Sequence, residues 1–103
     1  MTAHTVLLYA FRHGEPRLVE LPDDCKPDGL LGLLQSIYHY GQNDFQPREQ
    51  PSVSVGDVVL LKIGAYLVCN LGFRKLTNNE YAAYKAMPKE PRPFWAMTQE
   101  GNV

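Results

Sequence analysis

The residues in this chain that can do chemistry are few and widely spaced. His4, His13 and His39 are its three histidines, and Cys25 and Cys69 its two cysteines. A metal site needs several His, thiolate or carboxylate ligands converging on one point. These five residues fall on separate stretches with no Cys-x-x-Cys pair, so neither a metal nor a cofactor is expected. Nucleophilic catalysis would need a Ser or Cys beside a His and an orienting carboxylate. Cys25, between Asp24 and Lys26, reads as an exposed thiol, and Cys69 as a small inward-facing core residue. Neither stands in a nucleophile signature. Asp57 is a candidate base, but it follows Gly56 at a turn, where a carboxylate accepts backbone N–H groups. Gly29 and Gly32 lack the Lys-Ser/Thr or third Gly of a phosphate-cradling loop. No catalytic residue is assigned, and the chain reads as non-enzymatic.

Two kinds of recognition chemistry compete for the remaining side chains. Arg12, Arg48, Arg74 and Lys75 are available for phosphates, with Tyr66 and Phe73 to stack bases as on a small barrel. A formal net charge of −1 supplies no overall attraction to nucleic acid or anionic lipid. The run Arg92-Pro93-Phe94-Trp95 suits a protein partner instead, because Arg and aromatics anchor interfaces and prolines keep a segment extended at low entropic cost. Its bland alternative is that Phe94 and Trp95 fold back over the sheet. The candidate partner-binding residues are therefore Tyr66, Phe73, Arg74, Lys75, Arg92, Phe94 and Trp95.

The elements that must position them follow from periodicity. His4 to Phe11 is apolar on both alternating faces, as in an inner strand. Gly14 turns the chain, and residues 16–21 alternate well enough to pair back. Leu30, Leu33, Leu34, Ile37 and Tyr38 recur at helical spacing after Asp24 or Asp28 as a cap. Gly32 suggests a close approach of that helix to the sheet, and Gly41 a left-handed stop. Residues 42–51 are a polar loop anchored by Phe45. The densest β-branched run follows, from Pro51 to Leu76. Ser52–Val55 reads as an edge or entry strand, Gly56-Asp57 as a turn and Val58–Ile63 as a strand. Gly64 should turn the hairpin, and Gly72 should bend the chain before Phe73–Leu76. Thr77-Asn78-Asn79-Glu80 fits a capping box opening a short helix that ends before Pro88.

Part of the chain, roughly residues 38–76, resembles the YodL-like domain, a small domain of bacterial proteins often associated with plasmids and other mobile elements. The resemblance rests on Ser52-Val53-Ser54-Val55-Gly56-Asp57-Val58-Val59, then Tyr66, Gly72-Phe73 and Leu76, with Tyr40-Gly41-Gln42-Asn43-Asp44-Phe45 upstream. Pro51 stands where that pattern has a basic residue, the nearest being Arg48. The resemblance implies a bacterial, phage or plasmid setting and carries no enzymatic activity.

At 103 residues, with 45% hydrophobic and 20% charged residues, the chain is expected to form one ordered core. The expected fold is α+β: a small curled antiparallel sheet of about five strands, one packed helix and a short second helix. Residues 1–88 would form a single globular domain and residues 89–103 an extended Pro/aromatic tail. No signal peptide or membrane span is evident, so a cytoplasmic monomer or homodimer is expected. The expected activity is protein–protein contact that inhibits or modulates a host defence system; a nucleic-acid-binding accessory module of a mobile element is the alternative.

Overall fold

The computed structural model describes residues 2–10, 12–42 and 52–103. The expectations for Phe45 and Arg48 lie outside the described residues. Five strands, β1 (Thr2–Leu8), β2 (Glu15–Leu21), β3 (Val58–Leu61), β4 (Gly64–Val68) and β5 (Phe73–Leu76), form one open antiparallel sheet in the order β2-β1-β3-β4-β5. Helix α1 (Gly29–Tyr40) joins β2 to β3 across β1, while α2 (Asn78–Ala86) and α3 (Arg92–Met97) follow β5. The fold is α+β, as expected, and no helix among the described residues is long and apolar enough to cross a membrane.

Alternation along the strands sends one set of side chains to each face. Val6, Leu8, Val19, Leu21, Val59, Tyr66, Val68 and Phe73 pack with Leu34 and Ile37 of α1. Val58, Ala65, Leu67, Cys69 and Leu76 point the other way, against Tyr84 of α2 and Ala96 of α3. The sheet is thus the middle of three layers. That explains why Val58–Val59 and Leu67–Val68 are apolar at consecutive positions: both faces there are covered.

Three local expectations are corrected by the geometry. Ser52–Val55 is not a strand. Val53 donates its N–H to the Gly41 carbonyl at 3.2 Å, and the Ser54 N–H is taken by the Asp57 carboxylate at 2.8 Å, so these groups are not offered to a ladder. Gly41 is right-handed at φ −73°, and its role is spatial. A Cβ there would lie 2.5 Å from Cγ2 of Val53, whereas one on Gly32 would meet nothing closer than 3.7 Å. The close approach expected at Gly32 is therefore made by Gly41. Finally, residues 92–97 form a helix rather than part of an extended tail. Pro91 stands at its N-cap and Pro93 in its first turn, where a missing N–H breaks no intrahelical bond.

Candidate interaction surface

Asp57 shows how the fold uses its potential acid–base groups. Its carboxylate is buried and accepts the backbone N–H of Ala10 at 3.0 Å and of Ser54 at 2.8 Å. It ties the end of β1 to the turn before β3 across 47 positions of sequence. Burial raises its pKa above the ordinary value, against the opposing pull of these N–H donors and of the Arg17 charge. The carboxylate is committed to backbone, in the structural role its place after Gly56 suggests. Arg17 is buried on β2, and its own pKa is lowered by desolvation.

The histidines lie apart: His4 on β1, His13 in the β1–β2 turn and His39 near the end of α1. Both thiols are free, Cys69 buried and Cys25 half-buried against the core. The exposed thiol expected at Cys25 is therefore partly covered. Burial pushes the Cys69 thiol up in pKa, which disfavours the reactive thiolate. Among the described residues no group of three or more His, Cys, Asp and Glu is placed to hold a metal ion.

The seven residues singled out from sequence separate into two sets. Tyr66 and Phe73 face α1 and are buried, with 1% and 6% of their surface exposed. Neither can stack a base or meet a partner, so the nucleic-acid arrangement built on them is not formed. Arg92 is buried too, at 5% exposure. Its guanidinium donates to the carbonyls of Tyr9 and Arg12, each at 3.2 Å, and of Met87 at 2.5 Å. It also lies 4.9 Å from the Tyr9 ring centroid. These bonds fasten α3 to the end of β1 and to the end of α2, making Arg92 a structural clasp. Arg74 is half-exposed and paired with Glu80 at 2.9 Å, which leaves Lys75 as the open charge on β5.

Helix α3 divides its aromatics between its two sides. Trp95 is half-buried and lies 5.3 Å from the Tyr84 ring, while Ala96 is fully buried. Phe94 and Met97, three positions apart and so on one side of the helix, are 72% and 50% exposed. With Ala10, Lys89, Glu90 and Pro93 they line a shallow groove of about 470 Å³. The Asn70 amide donates to the Met97 carbonyl at 3.2 Å, bringing the β4–β5 turn beside the end of α3. That turn carries Leu71, the most exposed large apolar side chain among the described residues at 86%. Sequence reasoning missed Leu71 and left Met97 open between docking on the body and meeting a partner. Their hydropathy is that of core residues, and only the turn and the docking of α3 turn them outward.

The sheet edges are guarded by contrast. On β2, Pro16 lacks an N–H and Arg17 points a charge inward, both devices that discourage strand addition. The outer side of β5 is hydrogen-bonded to residues 102 and 103. Exposed apolar side chains, rather than a bare strand edge, are the surface left for recognition. A scan against family models finds no match to this chain, and searches of curated proteins and of solved structures find no similar protein.

Proposed function

We propose that this chain is a small non-enzymatic protein that acts by binding another protein through Phe94, Met97, Leu71 and the groove beside α3. The observation that supports this is the exposure of those three large apolar residues on elements held together by the Asn70–Met97 hydrogen bond. Apolar and aromatic side chains in such a setting are the usual anchors of an interface. The resemblance to the YodL-like domain supports a bacterial, phage or plasmid setting, in which the partner belongs to a host system such as a defence nuclease. The protein acts there as an inhibitor or modulator.

The test is affinity purification from a bacterial lysate, with the captured protein then purified and titrated against wild type and a Leu71→Asp/Phe94→Asp variant. Direct binding that weakens about tenfold or more in the variant is expected. A partner held equally by both proteins, or turnover of a substrate by the purified chain, would overturn the proposal.

A further inference from the structure

Residues Gly101-Asn102-Val103 lie along the outer edge of β5 in a particular pattern. The Asn102 N–H donates to the Phe73 carbonyl at 2.8 Å, and the Lys75 N–H donates to Oδ1 of Asn102 at 2.8 Å. In a parallel ladder, one residue of the incoming strand gives its N–H to the carbonyl before its opposite number. It then accepts the N–H of the residue after it. Asn102 makes both bonds opposite Arg74, with its side-chain amide oxygen standing where the main-chain carbonyl of a true strand would be. It is a one-residue imitation of a parallel sixth strand.

Its neighbours define what fits beside it. A Cβ on Gly101 would fall 2.8 Å from both the Leu71 carbonyl oxygen and the Phe73 nitrogen, so only glycine can pass the Gly72 turn there. Val103 donates its N–H to the Phe73 carbonyl at 3.2 Å and packs half-buried against the core cluster that contains Phe73.

We infer that the outer edge of β5 is a strand-acceptor site for an extended peptide segment running parallel to it, and that Gly101–Val103 occupies this site as an internal competitor. The segment it takes carries a glycine at the Gly72 turn and an aliphatic residue two positions later, where Val103 sits. Main-chain bonds to Phe73 and Lys75 supply the attachment, and the glycine and aliphatic positions supply the selectivity. Tethering keeps the competitor at high effective concentration, so apparent affinity for an incoming segment is reduced by the fraction of time the edge is covered. This site adjoins the Leu71 turn but is built from the main chain of residues 73–75, and it stands whether or not the Leu71–Phe94–Met97 surface binds a partner.

The experiment uses the full chain with Asn102→Pro, which removes both the N–H and the side-chain amide, and wild type beside it. Each is titrated by NMR with the synthetic peptide Gln-Glu-Gly-Asn-Val at millimolar concentration. The expected result is saturable shifts confined to the amides of residues 72–76 in Asn102→Pro, about tenfold weaker binding to wild type, and no binding of the Gln-Glu-Ala-Asn-Val peptide. Absence of shifts in the folded variant, equal titration of wild type, or equal binding of the alanine peptide would overturn the inference. If Asn102→Pro does not fold, Asn102→Ala serves, since it keeps the N–H and loses only the acceptor. It should speed hydrogen exchange at the Lys75 amide and bind the glycine peptide more tightly than wild type does; unchanged exchange and binding would overturn the inference equally.

Discussion

Asp57 earns its place by accepting the backbone N–H groups of Ala10 and Ser54. Its raised pKa means that the folded protein holds the Asp57 proton more tightly than the unfolded chain does. The Asp57 contribution to stability is then fully present below the ordinary value of 3.8 and is lost as pH rises through the folded pKa. Urea unfolding at several pH values across that window should show the stability difference between wild type and Asp57→Asn shrinking as pH rises. The variant should also be less stable near pH 4 by about 1–3 kcal/mol, because an amide oxygen can serve one N–H while its NH₂ faces the other. Glycines give a second prediction. Gly41→Ala drives a methyl into Val53 at 2.5 Å and should cost about 1–3 kcal/mol. Gly32→Ala meets only ordinary contacts, with Pro27 and Asp28 at 3.7 Å or more, and should stabilise by about 0.5–1 kcal/mol. Thermal unfolding of the two variants separates a packing glycine from a merely tolerated one.

At the scale of elements, α2 and α3 are held by different means. Thr77 accepts the Glu80 N–H at 3.1 Å while the Glu80 carboxylate accepts the Thr77 N–H at 3.0 Å, a complete capping box. Thr77→Ala should cost about 1 kcal/mol. Helix α3 has only six residues and no side-chain cap, too short to persist by itself. Its order comes from Arg92 and from the packing of Trp95 on Tyr84. Arg92→Met keeps the length of the side chain but leaves three carbonyls unserved, and it should cost about 2–4 kcal/mol. Hydrogen exchange should show residues 92–97 released together while the amides of β3 and β4 stay protected. The capping box was legible in four consecutive residues because both its bonds are local. The Arg92 clasp was not, because its acceptors on Tyr9 and Arg12 lie 83 and 80 positions away.

For the whole molecule, the three-layer arrangement determines which apolar residues are core and which are surface. Leu71→Asp and Phe94→Asp should change stability by no more than about 0.5 kcal/mol, because both side chains are already in water. The same change at Tyr66, at 1% exposure, should prevent folding. Circular dichroism and denaturant titration distinguish the two outcomes. The glycine–amide–aliphatic run at 101–103 adds a long-range constraint of the same kind, since its meaning depends on the β5 edge it reaches.

By itself the sequence determined the α+β class, the central hairpin, both longer helices, the Thr77 cap and the backbone role of Asp57. Each is written in spacing over a few residues, where propensity, capping and turn geometry act. The hairpin turn expected at Gly64 falls instead at Lys62-Ile63, with Gly64 opening β4 opposite Leu61. The tertiary structure alone decided that Tyr66, Phe73 and Arg92 are buried while Phe94, Met97 and Leu71 face solvent. It also decided that prolines 91 and 93 open a helix and that Asn102 completes the edge of β5. Exposure depends on which distant element covers a residue, and an aromatic or arginine suits a core and an interface equally well. For such residues composition leaves the choice open, and packing makes it.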